Sequence, residues 1–183
     1  EGVRDFKVWP DEPPRSEYNA ILHLQPLSDR NKIALGYDMA TEEVRRKAMY
    51  TARDTGKPTA SGRVQLVQER DVPDPDKQPG FLIYVPLYRK GAPVSNEAER
   101  RKALTGFVYS PFRVKDFLQP VAEKKKHDLT FQVYDGTEVK PENLLSSFAS
   151  EDSSKPMFDD TLSLDVGGHT WTLAYASTPS FEA

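Results

Sequence analysis

The 183-residue sequence contains no cysteine. This absence excludes thiol nucleophiles, cysteine-ligated zinc, iron–sulfur clusters and disulfide chemistry. It does not identify the compartment, because a cysteine-free domain folds in reducing and oxidising environments alike. A chain of this size buries roughly 70% of the surface of its unfolded state, so it needs no disulfide or metal to fold.

Long apolar runs and a strong excess of one charge are also missing. The longest uncharged apolar run, Phe81 to Tyr88, is far shorter than the ~18 residues of a membrane-spanning helix. The net charge is −3, whereas nucleic-acid-binding domains carry a clustered basic excess. We therefore expect a soluble folded domain that binds no nucleic acid. The chain opens on Glu1 rather than on methionine, as expected of a fragment cut from a longer polypeptide.

The sequence lacks the motifs of the common catalytic and cofactor sites. It has no GxSxG elbow and no glycine-rich phosphate loop. The histidines are isolated from one another: His23, His127 and His169. The acidic loop Asp71, Asp74 and Asp76 lacks the glycine and closing glutamate of an EF-hand, so we interpret it as solvated. We expect no catalytic residue, no metal and no cofactor.

A coarse secondary-structure prediction alternates strands with a few helices. Thr41 to Asp54 is predicted to form a helix that Thr41 caps and Gly56 ends, with a buried stripe along Val44, Ala48 and Ala52. Strands are predicted at 18–25, 64–68, 81–88, 105–109 and 129–134. The strand over 81–88 is apolar on both faces, which indicates a central position. Residues 112–122 are predicted to form a helix or connector that Pro120 interrupts.

The segment from Leu162 to Tyr175 gives the strongest local prediction. A two-residue loop, Gly167-Gly168, joins two alternating strands and pairs Val166 with His169, Leu164 with Trp171 and Leu162 with Leu173 on one face. A hairpin with one apolar face places the chain in the α+β class with antiparallel sheets. We expect two lobes that meet between Phe112 and Lys126.

An ordered series of short motifs then resembles a known family. In sequence order the motifs are Tyr18, Ile21, Asn31, Gly36-Tyr-Asp38, Arg45-Arg46, Ala52-Arg-Asp-Thr-Gly56, Val64-Gln-Leu-Val-Gln-Glu69, Phe81-Leu-Ile-Tyr-Val-Pro-Leu-Tyr88, Arg100, Gly106-Phe-Val108 and Phe112. Together they resemble the CHASE domain, the extracytoplasmic sensory module of bacterial histidine kinases, diguanylate cyclases and plant cytokinin receptors.

The resemblance implies a long N-terminal helix followed by two PAS-like lobes. The helix is expected to be missing from this chain. Residues 1–117 would form the membrane-distal, ligand-binding lobe and residues 118–183 the membrane-proximal lobe. The module would bind a small molecule in the periplasm as part of an inner-membrane homodimer, attached to the membrane only through flanking segments. Any kinase or cyclase activity would lie outside the chain. The alternative is a structural or protein-interaction domain with a collapsed pocket and no small ligand.

An ungapped alignment with the cytokinin-binding members implies a set of pocket residues. They are Met39, Arg45, Met49, Val67, Tyr84, Phe107, Tyr109 and Ser110. Arg45 occupies the position of an aspartate that binds the purine, and Tyr84 replaces a small hydroxyl residue, so cytokinin itself is not the expected ligand. If Arg45 points into the pocket, an anion such as a carboxylate is expected. The alternatives are a solvated helix residue for Arg45 and ordinary core packing for most of the others.

Overall fold

The computed structural model describes residues 6–125, 129–148 and 155–182. Within these residues the chain forms helices and two four-stranded antiparallel sheets, so the predicted α+β class is confirmed. The helices are α1 (Asp29–Lys32), α2 (Glu43–Thr55), α3 (Glu97–Ala103), α4 (Val114–Lys125) and α5 (Pro179–Glu182). The strands are β1 (Thr59–Ala60), β2 (Val64–Gln65), β3 (Pro79–Tyr88), β4 (Leu104–Arg113), β5 (Leu129–Asp135), β6 (Leu144–Phe148), β7 (Asp159–Val166) and β8 (His169–Ser177).

The first sheet is built around β3, as its two-sided apolar sequence predicts. Strands β1 and β2 pair with β3 along one edge, and β4 pairs along the other from Gly80↔Arg113 to Tyr88↔Leu104. One face of β3, with Leu82 and Tyr84, packs against α2. The opposite face, with Phe81, packs against residues of the second sheet. Both faces of β3 are therefore covered over this part of the strand.

Helix α2 spans Glu43–Thr55 rather than 41–54, and its N-cap lies one residue later than predicted. Glu42 rather than Thr41 is the N-cap, because its carboxylate accepts the Val44 and Arg45 N–H groups at 3.0 Å each. Thr41 instead ends a 3₁₀ turn, Met39–Thr41. Gly56 ends the helix in the left-handed conformation, with φ of 73°, as predicted. The buried positions of the helix are Arg45, Ala48, Met49 and Ala52.

Two of the predicted strands are wrong in whole or in part. Residues 18–25 are extended but make only an isolated bridge, Ala20↔Asp38, because their backbone bonds go to a turn at 36–39 rather than to a strand. The strand at 64–68 stops at Gln65. The chain then enters a 3₁₀ turn, Val67–Glu69, that carries the buried Glu69 carboxylate to within 2.8 Å of Arg113 Nε.

The second sheet has the order β6-β5-β8-β7. Its β7–β8 hairpin has the predicted register, with Val166↔His169, Leu164↔Trp171 and Leu162↔Leu173 as partners. Helix α4 joins the two sheets and contains Pro120. The domain boundary at 117/118 falls within this helix and stays a prediction, as do the PAS-like details. No helix in the described ranges is long and apolar enough to cross a bilayer.

Candidate functional site

A cavity of about 1090 Å³ lies beside the first sheet. Its walls are the β4 strand, the end of β3, the buried side of α2 and the extended segment 17–25. Pockets for small ligands in proteins typically measure roughly 300–1,000 Å³. The cavity is therefore large enough for a small molecule.

Six of the eight predicted pocket residues line this cavity. They are Met39, Met49, Tyr84, Phe107, Tyr109 and Ser110. They come from the 3₁₀ turn before α2, from α2 itself and from the two paired strands β3 and β4. Because Tyr84 and Tyr109 are cross-strand partners, as are Pro86 and Phe107, the register of this pair decides which aromatic rings share the wall.

Arg45 and Val67 do not line the cavity. Val67 opens the 3₁₀ turn after β2 and packs against the core beneath α2. Arg45 is only 3% exposed, so the alternative of a solvated helix residue is wrong. Its Nη1 donates to the Tyr37 hydroxyl at 2.9 Å and its Nη2 to the Gln65 carbonyl at 2.6 Å. Both partners are neutral.

Among the described residues, three polar atoms in this region are buried without a hydrogen-bond partner. They are Arg45 Nε, Tyr84 Oη and Tyr109 Oη. The two tyrosine rings lie side by side, with centroids 6.1 Å apart. Buried polar side chains in proteins are nearly always hydrogen-bonded, so unpaired atoms in one place call for an explanation.

Both tyrosine hydroxyls stay protonated at neutral pH. Burial raises the pKa of Tyr84 far above its ordinary value, although the positive charge of Arg45 opposes the shift. Burial likewise raises the pKa of Tyr109, to about 12, again against the charge of Arg45. The site thus combines one permanent cation with two neutral O–H donors.

The extended segment that closes the cavity is held by a buried carboxylate. Asp38 is fully buried and accepts the Asn19 and Ala40 N–H groups at 3.0 and 3.1 Å. Arg15 Nε pairs with its second oxygen at 2.9 Å. These bonds place Tyr18 and Ile21 opposite β4 and fix the turn that presents Tyr37 to Arg45.

Sequence analysis missed the contribution of this segment and of Tyr37. Tyr18, Ile21 and the Gly36-Tyr-Asp38 motif were available as family motifs, but nothing local connects Tyr37 with Arg45. The sequence predicts a strand at 18–25, and a strand assignment does not indicate that this segment lines the cavity. Only the path of the chain between residues 17 and 45 brings these groups together.

The remaining candidate residues lie elsewhere. His23 is on the cavity rim, His169 pairs with Asp135 at 2.6 Å, and His127 lies outside the described residues. In the acidic loop, Asp74 pairs with Lys77 at 2.6 Å. No group of three or more histidine or carboxylate side chains suited to a metal occurs in the described part of the chain.

Comparison with known proteins identifies one matching protein family. The family model of the CHASE domain matches residues 1–146 of the 183. The match covers the whole first sheet, α4, β5 and the 3₁₀ turn before β6. No curated protein sequence matches the chain.

Proposed function

Because the chain belongs to the CHASE domain family, a family of extracytoplasmic sensory domains of signalling receptors, we propose that it binds a small molecule and reports the binding through flanking membrane helices. The family is sensory rather than catalytic. The cavity beside the first sheet is the observation that carries the proposal, since six predicted pocket residues line it.

The wall of the cavity has the composition of a ligand site. Apolar side chains, among them Met39, Met49 and Phe107, line it together with polar groups that include Tyr84 and Tyr109. Ligand pockets combine these two features, because apolar area provides affinity and a few placed polar groups fix the orientation. An apolar core without a ligand would gain nothing from buried, unpaired hydroxyls.

In this proposal the parent protein is an inner-membrane receptor with its sensor in the periplasm. It acts as a homodimer, and its histidine kinase or diguanylate cyclase output lies outside the chain. A ligand can shift such a receptor only by its differential affinity for two states of the dimer. The parent reading frame should encode hydrophobic spans of ~20 residues on both sides of this segment. A reading frame without them would overturn the membrane part of the proposal.

A thermal-shift screen of the chain with carboxylates, purines and amino acids tests ligand binding. A ligand at about 100 times its Kd stabilises the folded state by ~2.7 kcal/mol, which raises the Tm of a chain of this length by roughly 5–10 °C. Ser110→Trp would fill the cavity from its rim and should abolish the shift. Ser163→Trp, at an exposed position of β7, is the matched control and should retain it.

The screen also decides between the proposal and its alternative. Flat melting curves with every class of compound would favour a structural or protein-interaction domain. A shift that survives Ser110→Trp would show binding at another site. Either result would overturn the assignment of this cavity as the sensor pocket.

A further inference from the structure

The buried guanidinium of Arg45 lacks a carboxylate partner. No ion pair joins it to an Asp or Glu of the described residues, and its two hydrogen-bond acceptors are a tyrosine hydroxyl and a backbone carbonyl. Glu42, the carboxylate at the start of α2, uses both oxygens to accept the Val44 and Arg45 N–H groups. Burying a charge is costly unless an opposite charge accompanies it. Within the described residues the guanidinium therefore has no direct carboxylate contact, while the negative charge of Glu42 also reaches the Tyr84 hydroxyl.

The unpaired atoms near Arg45 all offer hydrogens. Arg45 Nε carries an N–H, and Tyr84 and Tyr109 carry O–H groups that burial keeps protonated. Both tyrosines line the cavity, and the charge of Arg45 acts on both hydroxyls. An ionised carboxylate is an acceptor-only group with two oxygens and about four lone-pair sites. It matches the two tyrosine O–H donors of the cavity wall and the positive charge of Arg45 behind them, whereas an amine brings donors and a positive charge of its own.

The rest of the cavity wall limits what the carboxylate is attached to. Met39, Met49 and Phe107 line the same cavity as the two tyrosines and contribute thioether and aromatic surface, and the Phe107 ring lies 6.2 Å from that of Tyr84. This apolar part of the wall favours an alkyl or aryl group on the ligand, while Glu17, Arg53 and Arg101 also line the cavity.

We infer that the ligand is a small carboxylic acid with an apolar body, its carboxylate held by the Tyr84 and Tyr109 hydroxyls and balanced by Arg45. This inference rests on the proposed function, because it assigns a chemical class to the ligand of the same cavity. Charge-assisted hydrogen bonds at a buried site are the strong ones, so the acid group would provide most of the selectivity.

Matched acids and amides test the inference on the intact chain. The probes are hexanoate, benzoate and 3-phenylpropionate, each beside its neutral amide, with inorganic phosphate as a separate arm at equal ionic strength. At least one acid should raise the Tm by roughly 5–10 °C at about 100 times its Kd. Its amide and phosphate should give no shift, because the amide lacks the charge and phosphate lacks the apolar body.

Two variants locate the effect, and a third is their control. Arg45→Gln and Tyr109→Phe should each weaken binding of the acid by at least about tenfold in calorimetric titration. Tyr109→Phe keeps the ring, so it answers the question even if Arg45→Gln does not fold. Lys47→Gln removes the same charge from an exposed position of α2 and should leave the affinity within about twofold.

The outcomes separate this inference from the proposed function. An amide that binds as well as its acid, or unchanged affinity in Tyr109→Phe, overturns the carboxylate assignment. Binding of neutral compounds alone, abolished by Ser110→Trp, overturns it while the sensor proposal stands. No binding by any acid, amide, purine or amino acid overturns both.

Discussion

The Phe81 ring lies edge-to-face against the indole of Trp171, with centroids 5.0 Å apart and planes at 84°. Phe81 belongs to β3 of the first sheet and Trp171 to β8 of the second, and both side chains are almost fully buried. Tyr84, three residues along β3, faces the cavity on the opposite side of the strand. One strand thus contacts the candidate ligand site with one face and the second sheet with the other.

This contact predicts that the two sheets unfold together. Trp171→Ala should lower the free energy of unfolding by about 3–5 kcal/mol, because it leaves a cavity in the apolar cluster shared by both sheets. Phe181→Ala removes an aromatic ring that is 57% exposed and should change stability by less than about 0.5 kcal/mol. Urea denaturation followed by circular dichroism measures both. A loss below about 1 kcal/mol for Trp171→Ala would contradict a shared core.

A second prediction concerns the unpaired hydroxyl of Tyr84. Without added ligand, Tyr84→Phe should leave stability unchanged or raise it by about 1 kcal/mol, because it deletes a buried polar atom that has no partner. Tyr88→Phe is the matched control, since the Tyr88 hydroxyl donates to the Arg53 carbonyl. Its loss should cost about 1 kcal/mol. Thermal denaturation of the two variants compares them directly, and destabilisation by Tyr84→Phe would show that its hydroxyl has a partner in the folded protein.

A third prediction concerns the pH dependence of the contact between the sheets. The Asp135 carboxylate accepts the Arg63 N–H at 2.9 Å and lies 2.6 Å from His169 Nε2. Burial raises the pKa of Asp135, but the bonds to His169 and Arg63 outweigh it and hold the pKa below its ordinary value. The carboxylate therefore stabilises the fold above its unfolded pKa of about 4, and this stabilisation is lost as the pH falls through the lower folded value.

Asp135→Asn should accordingly be less stable than the parent at pH 7, and the difference should shrink as the pH falls below about 4. Asp159→Asn, at an exposed position of β7, should show no such pattern. Urea denaturation from pH 3 to pH 7 gives the two curves. A difference that stays constant over this range would mean that the ionised Asp135 does not stabilise the fold.

A fourth prediction uses the close approach of Gly80 in β3 to Leu66, the residue after β2, and to Phe112 of β4. A Cβ at Gly80 would lie 2.6 Å from Leu66 Cγ and 3.0 Å from the Phe112 carbonyl oxygen. Gly80→Ala should therefore destabilise the chain by about 1–3 kcal/mol through overpacking. In a Leu66→Ala background the same change should cost less, because the two closest atoms, Cγ and Cδ2 of Leu66, are gone. Equal costs in the two backgrounds, measured by chemical denaturation, would place the strain elsewhere.

The parts of the fold that sequence predicted are those with a local cause. The β7–β8 hairpin follows from two-residue alternation around Gly167-Gly168, both of which adopt positive φ, and its register is confirmed pair by pair. Helix α2 follows from its apolar stripe and from Gly56. The strand at 18–25 failed because alternation of apolar residues cannot show whether a partner strand lies alongside. The path of that segment is set by Asp38, whose buried carboxylate accepts hydrogen bonds from Arg15 Nε and from the Asn19 N–H. Asp38 lies about twenty residues further along the chain, so local alternation does not reveal these bonds.

In the candidate site, too, sequence predicted some features and tertiary structure decided the others. Family motifs alone selected Tyr84, Tyr109 and Arg45, residues that lie far apart in the sequence, and their chemistry permits an anion site. Tertiary structure decided the rest: strand pairing sets the two tyrosines side by side, and packing of α2 buries the Arg45 guanidinium against the Tyr37 hydroxyl and the Gln65 carbonyl. The sequence by itself shows that cysteine, a long apolar run and a large net charge are absent, because these are properties of composition and residue order. The hydrogen bonds and electrostatic interactions of a buried charge come from residues that are distant in sequence, and only folding brings those residues close to it.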